Sequence, residues 1–98
     1  MEERCSKEIV SPFLFLLTLY TVYILYSARI DRYYIGYTND IERRLSEHNR
    51  RKGKYTDRGI PWELKYTEQF STKAEAHSRE LFIKGQKSRS YIEALIKR

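Results

Sequence analysis

Arg44 and His48 are four positions apart in the stretch DIERRLSEH, a spacing that places two side chains on one face of a helix. At about 100° per residue, Ile41 and Leu45 form the apolar stripe of this helix, and Arg44 and His48 fall beside it. The side chains of Arg44 and His48 are therefore expected at the border of the contact between this helix and the sheet on which it packs. A guanidinium can bind a phosphate through two parallel donors, and an imidazole titrates close to neutral pH. The pair suits phosphate-ester chemistry, although an isolated arginine or histidine is more often structural.

Two aromatic and β-branched runs precede this helix. They span Tyr20 to Ser27 and Arg32 to Thr38, and residues of these types favour strands. Because only a few residues separate the runs, an antiparallel hairpin is the simplest prediction. Gly36 near the end of the second run would allow a neighbour to approach the backbone closely.

The remaining elements follow from capping and turn signals. Asn39 or Asp40 can cap the first helix, and Ser71 or Thr72 can cap the second. The predicted elements are a first helix to about Arg51, a loop over RKGKYTDRGIP, a third strand at 62–70, a second helix to Lys84 that Gly85 ends, and a third helix at 88–97. The order ββαβαα predicts an α/β (α+β) fold, a small three-stranded, mainly antiparallel sheet flanked by helices.

The charge balance indicates a polyanionic partner. The 98 residues fit one domain, and 19 Lys and Arg against 13 Asp and Glu give a net charge of +6. Residues 39–60 carry seven basic and four acidic side chains, a local excess of +3. This balance favours nucleic acid first and an acidic membrane surface second. The alternative is that the basic loop of residues 50–58 is simply a solvated charge run.

The amino-terminal segment and the single cysteine argue against a disulfide-stabilised, zinc-binding or membrane-spanning protein. Cys5 alone forms no disulfide framework, so a cytoplasmic location is expected, and one Cys with two distant His cannot supply a structural zinc site. The apolar run 12–26 is shorter than the ~20 residues of a spanning helix and is interrupted by polar side chains. We expect no stable membrane partner. Residues 1–18 form a leader of uncertain structure, and residues 19–98 form the domain.

The motifs Val22-Tyr23-Ile24 and Tyr34-Ile35-Gly36 on adjacent predicted strands resemble those of the GIY-YIG nuclease family. The resemblance continues with Arg44 ten positions after Tyr34, a Lys-Tyr-Thr loop at 54–56, and Glu80 in SRELFIK. It covers residues 20–96, and in size and layout the chain resembles the small stand-alone bacterial members. Two positions depart from the pattern. Thr21 replaces the first glycine, and Tyr37 stands where many repair enzymes of the family carry a lysine.

The resemblance implies a metal-dependent endonuclease acting on nucleic acid, with DNA the expected substrate and DNA repair an expected setting. Arg44 would stabilise charge on the phosphate, and Glu80 would hold Mg²⁺ or Mn²⁺, although Glu80 and Lys84 could equally be a helix-stabilising pair. The resemblance points to Tyr23 or Tyr34 as the group that accepts the proton of the attacking water, with the positioning role expected for Tyr34. His48 is the chemically easier base, because an imidazole titrates close to neutral pH, and the choice between Tyr23 and His48 stays open. The resemblance and the charge pattern give these candidate residues: catalytic, Tyr23, Tyr34, Arg44, His48 and Glu80; nucleic-acid-binding, Arg50, Arg51, Lys52, Lys54, Tyr55 and Arg58; metal, Glu80.

Two other functions are compatible with the sequence. The same scaffold could bind nucleic acid without cutting it, a possibility raised by Tyr37 in place of the lysine. A weaker alternative is a membrane-surface protein anchored by residues 9–19. The sequence leaves open the choice between DNA and RNA, the specificity for sequence or structure, and the oligomeric state.

Overall fold

The computed structural model describes residues 19–98, so the predicted leader and the apolar run that precedes Leu19 lie outside the described residues. The elements are β1 (Tyr20–Ser27), β2 (Arg32–Thr38), α1 (Ile41–His48), a short 3-10 helix (Tyr55–Gly59), β3 (Glu63–Phe70), α2 (Lys73–Gly85) and α3 (Arg89–Lys97). This confirms the predicted order and the α+β class. None of the helices within residues 19–98 is long and apolar enough to cross a membrane.

The three strands form one antiparallel sheet in the order β2-β1-β3. The predicted hairpin of β1 and β2 is present, with Tyr23 paired to Gly36 and Leu25 paired to Tyr34. On its other side, β1 pairs with β3, so that Tyr23 lies opposite Thr67. The middle strand is thus hydrogen-bonded along both of its edges.

Helices pack on both faces of the sheet. Val22, Ile24 and Ile35 point to one face and pack with residues of α2 and α3, including Ala76, Ile83 and Leu95. On the opposite face, Tyr23, Leu25 and Tyr34 pack with Ile41 and Leu45 of α1 and with Trp62. The alternation of side chains along a strand therefore sends the motif tyrosines Tyr23 and Tyr34 toward α1.

Helix α1 begins as predicted and ends earlier than predicted. The Asp40 side chain accepts a hydrogen bond from the Arg43 amide, as an N-cap does. The helix stops at His48, so the prediction that it reaches Arg51 is wrong. Asn49 leaves the helix because its side-chain amide donates to the Trp62 carbonyl at 3.0 Å and its oxygen accepts from the Trp62 amide. These two hydrogen bonds tie the end of α1 to the start of β3.

The ends of α2 and the start of α3 refine the predictions made from capping residues. Gly85 is the last residue of the helix, and the residue with a left-handed backbone is Lys87, with φ of 48°. At the other end, Thr72 rather than Ser71 caps the helix, because its hydroxyl accepts from the Glu75 amide. Ser88 caps α3 in the same way through the Tyr91 amide.

Candidate active site

Tyr23 lies at the centre of the candidate site. Its ring crosses over the backbone of Gly36 on the neighbouring strand, and its hydroxyl lies 3.2 Å from Nε2 of His48. A Cβ atom added at Gly36 would come within 2.6 Å of this hydroxyl, so the site requires a glycine here. The close approach of a phenol to bare backbone explains why the second motif ends in glycine.

Tyr34 completes an aromatic cluster around His48. The Tyr34 ring is stacked on Tyr23, with centroids 6.3 Å apart, and meets His48 edge-on at 4.5 Å. Trp62 lies against Tyr34 and His48 at 6.2 and 6.4 Å. The two phenols and the imidazole predicted to converge are therefore together on one face of the sheet. The neighbouring Tyr33 points to the other face, where its hydroxyl donates to Glu93.

Arg44 borders an open cleft of about 420 Å³ beside this cluster. The cleft is lined by Tyr34, Arg44, Glu47, His48, Arg50, Lys52, Lys54 and Thr56. The Nε atom of Arg44 is buried and has no hydrogen-bond partner among the described residues. Its terminal nitrogen approaches Glu47 at only 3.7 Å. A buried donor without a partner is costly. A guanidinium that lines an open cleft can also bind an anionic ligand there through its remaining donors.

The protonation of the Tyr23–His48 pair follows from burial. Burial raises the pKa of Tyr23 well above its ordinary value, and the charge of Tyr34 adds to this effect. The opposing influence of Arg44 is weaker. Burial also lowers the pKa of His48, helped by the positive charges of Lys52 and Arg44. Both groups are therefore neutral at neutral pH, and the imidazole is free to accept a proton.

Glu80 lies in the other layer of the fold, on the helix that packs against the face of the sheet opposite Tyr23 and Tyr34. It lies on α2, is 9% exposed, and its carboxylate accepts from the Lys84 ammonium at 2.7 Å. It does not line the Arg44 cleft. Nevertheless, its charge contributes to raising the pKa of Tyr23, as the charge of Arg44 contributes to lowering it. The structure thus brings Tyr34, Arg44 and His48 together at one cleft and leaves the Glu80 carboxylate outside its lining.

The described residues offer few protein ligands for a metal ion. Within residues 19–98, no group of three or more His, Cys, Asp or Glu side chains could hold a metal ion. Mg²⁺ commonly takes one or two carboxylates and completes its shell with water and substrate phosphates. Glu80, the carboxylate predicted for this role, is paired with Lys84 and lies outside the lining of the Arg44 cleft. His77, another possible ligand, is exposed and packs on the Tyr37 ring at 5.4 Å.

The basic loop divides into two groups. Arg50, Lys52 and Lys54 line the Arg44 cleft, whereas Arg51, Tyr55 and Arg58 lie outside its lining. Lys52 also has a structural contact, because its ammonium donates to the carbonyls of Glu47 and Arg50 at the end of α1. The Tyr55 ring is 69% exposed, and the Arg58 guanidinium stacks on it at 4.7 Å.

Sequence reasoning missed several residues that shape this cleft. Glu47 lines it and holds the Arg43 guanidinium at 2.9 Å. Asp57 fixes the basic loop by accepting from the backbone amides of Lys52 and Gly53. The spacing of Glu47 from Arg43 and Arg44 could have revealed the first contact, because residues three and four apart face each other on a helix. The Asp57 contacts depend on the loop path, for which the sequence carries no periodic signal.

Comparison with known proteins identifies the family of the chain. The family model described as the GIY-YIG catalytic domain matches residues 19–92. A UPF0213 protein of the archaeon Halobacterium salinarum is 52% identical over 64 residues, which are 64% of this chain and 82% of that protein. A UPF0213 protein of Natronomonas pharaonis is 43% identical over 76 residues, 76% of this chain and 87% of that protein.

A bacterial UPF0213 protein is similarly identical to the chain, but the match covers a smaller share of that protein. The UPF0213 protein of Bacillus licheniformis is 51% identical over 63 residues, 63% of this chain and 64% of that protein, so the match spans just under two thirds of it. No solved structure matches the chain at a significant level. The predicted resemblance to the small stand-alone members is confirmed, and the relatives include archaeal as well as bacterial proteins. The chain belongs to the GIY-YIG nuclease superfamily.

Proposed function

We propose that this protein is a metal-dependent endonuclease that hydrolyses phosphodiester bonds in nucleic acid, with DNA as the expected substrate. The observation that carries the proposal is the state of Arg44. Its buried Nε has no partner among residues 19–98, and the residue lines a cleft together with the neutral imidazole of His48. A planar guanidinium that still has free hydrogen-bond donors matches the charge and geometry of a phosphodiester that enters this cleft.

His48 accepts the proton of the attacking water in the proposed reaction. It lines the cleft, whereas Tyr23 is only 2% exposed and lies behind it. The water oxygen forms the new bond to phosphorus, its proton passes to the imidazole, and the bond to the leaving oxygen breaks. The Tyr23 hydroxyl, 3.2 Å from Nε2, fixes the orientation of the ring. A raised pKa keeps Tyr23 neutral, which suits orientation better than proton abstraction.

Arg44 and Glu80 handle the charge that develops on the phosphate. Arg44 donates to the phosphate oxygens, and in comparable sites such an arginine contributes about 10³-fold or more to the rate. Glu80 would hold Mg²⁺ or Mn²⁺, which when bound supplies positive charge next to the reacting phosphate. Lys84 neutralises Glu80 in the structure, so we propose that the Lys84 ammonium shifts aside when a cation binds.

The basic groups around the cleft hold the nucleic-acid backbone. Arg50, Lys52 and Lys54 line its wall and would contact phosphates on either side of the scissile bond. Arg51, Tyr55 and Arg58 extend this surface beyond the cleft. The exposed Tyr55 ring can stack on a base, a sequence-tolerant contact.

The proposal is tested by plasmid nicking with purified protein, with Mg²⁺ or with a chelator. Wild-type protein should nick only with metal. Glu80→Gln removes the charge and keeps the shape, and should lower the rate at least 100-fold while leaving the urea unfolding midpoint nearly unchanged. Lys65→Gln, on exposed β3, is the matched control and should nick at the wild-type rate. Equal nicking with and without chelator would contradict metal dependence.

A binding module without catalysis is the second candidate. The substitution of Tyr37 for the usual lysine favours it, as does the burial of Tyr23. Salt-dependent binding of DNA with no nicked product under Mg²⁺ or Mn²⁺ would support this function instead of the endonuclease.

A further inference from the structure

A second cleft, of about 340 Å³, opens on the other side of Arg44. It is lined by Tyr20, Tyr37, Thr38, Asn39, Arg44 and Lys73. Arg44 is the residue that lines both this cleft and the one that contains His48. A polymer held by Arg44 therefore has a place to continue on each side of the guanidinium.

The side chains of the second cleft suit an anion. Among residues 19–98, its charged lining residues are Arg44 and Lys73, and no carboxylate lines it. Each of the six lining side chains carries at least one hydrogen-bond donor. A neighbouring cleft near the start of α1 contrasts with it, because Asp40 and Glu42 line that surface and would repel a phosphate. The second cleft thus provides positive charge and neutral donors together.

The fold explains how these groups come together. Tyr37 and Thr38 end β2, which is one of the two edge strands of the sheet, and Tyr20 begins β1 beside them. Lys73 is the first residue of α2, on the opposite layer from α1. The cleft therefore lies at the sheet edge, between the start of α2 and the helix that carries Arg44. Tyr37, the departure from the family pattern, is part of its wall.

We propose that this cleft binds the phosphate adjacent to the scissile one on the same strand, with Lys73 as its principal charged contact. This inference rests on the proposed function, because it takes the Arg44 cleft to be the place of cleavage. The strand would pass over Arg44, with one phosphate beside His48 and the next beside Lys73. Tyr37 would donate its hydroxyl to that second phosphate, in place of the ammonium of a lysine.

The test begins with binding, measured without metal so that no strand is cut. Affinity for a fluorescent duplex is measured over a range of salt concentrations for wild type, Lys73→Met and the control Lys97→Met. Lys97 is exposed on α3 and lies outside the lining of both clefts. Removing one phosphate contact should reduce the slope of log affinity against log salt by about 0.9 for duplex DNA. We expect this reduction in Lys73→Met and not in Lys97→Met.

The second measurement locates the contact by cleavage of duplexes that each contain one neutral methylphosphonate linkage. In wild type, neutralising the linkage next to the scissile bond should slow cleavage about tenfold, and in Lys73→Met it should cause no further loss. An unchanged salt slope in Lys73→Met, or equal sensitivity of both proteins to that linkage, would overturn the inference while leaving the endonuclease proposal intact. If no protein cleaves but the slope still falls in Lys73→Met, the endonuclease proposal fails and the phosphate contact stands.

Discussion

Replacing Gly36 with alanine should separate the Tyr23 hydroxyl from His48. A Cβ at this position would lie 2.6 Å from the hydroxyl oxygen and 2.8 Å from Cζ, whereas ordinary contacts begin at 3.4 Å. The phenol must therefore shift by about 0.8 Å, and Tyr23 is 2% exposed, so its neighbours must move as well. A displacement of about 1 Å in a catalytic group can cost roughly 10²-fold in rate. Overpacking of this kind also costs about 1–3 kcal/mol of stability.

The assay for this change is single-turnover cleavage of a labelled duplex, with urea unfolding as the check on folding. We expect Gly36→Ala to remain folded and to cleave about 100-fold more slowly than wild type. Gly85→Ala is the matched control, because nothing lies within 4 Å of its added Cβ and the residue belongs to α2. Alanine there should keep the cleavage rate and raise stability by up to about 1 kcal/mol. A Gly36→Ala protein that cleaves at the wild-type rate would refute the reasoning about Tyr23.

Three further outcomes test separate parts of the structure. The rate of cleavage by wild type should fall at low pH with its midpoint below pH 6.5, because burial and neighbouring cations lower the pKa of His48 and a protonated imidazole accepts no proton. A midpoint above pH 6.5 would contradict this assignment. Asn49→Ala removes two hydrogen bonds to Trp62 and should lower the free energy of unfolding in urea by about 2 kcal/mol, whereas a loss under 0.5 kcal/mol would show the link to be unimportant. Tyr55→Ala should weaken DNA binding by about 1–3 kcal/mol in a fluorescence titration without changing the unfolding midpoint, because its ring is exposed. Unchanged binding would remove Tyr55 from the nucleic-acid surface.

The same neutral histidine has a consequence for stability. A His whose pKa is lower in the folded state binds fewer protons there than in the unfolded chain, whose pKa is about 6.5. The contribution of His48 to the free energy of unfolding is therefore fully present above pH 6.5. It is lost as the pH falls through the lowered pKa of His48. His48→Gln should flatten this part of the unfolding profile.

The order of strands and helices along the chain could be predicted from the residue types. Val, Ile and Tyr runs define β1 and β2, and capping residues define the starts of the helices. The end of α1 could not be predicted, because it depends on Asn49 reaching Trp62, thirteen residues later. This boundary is set by a tertiary contact, which cannot be predicted from the helix propensities of the residues in α1.

The candidate site was predictable only in part for the same reason. Helical spacing places Arg44 beside His48, and strand alternation separates Tyr34 from Tyr33. The Glu80 carboxylate comes from a helix on the other layer, and its influence on Tyr23 depends on how α2 packs against the sheet. The second cleft also joins residues from β1, β2, α1 and α2, so no stretch of sequence contains it.

The role of Arg44 is tested most directly by comparing it with its neighbour Arg43. Both belong to α1, but Arg43 is exposed and held by Glu47 and Asp40, whereas Arg44 borders the cleft with a buried, unpartnered Nε among the described residues. The measurement is the rate of Mg²⁺-dependent plasmid nicking by wild type, Arg43→Ala and Arg44→Ala, each purified free of host nuclease. We expect Arg43→Ala to nick within about twofold of wild type and Arg44→Ala to lose at least 10³-fold. Equal nicking by the two variants would contradict a phosphate-binding role for Arg44.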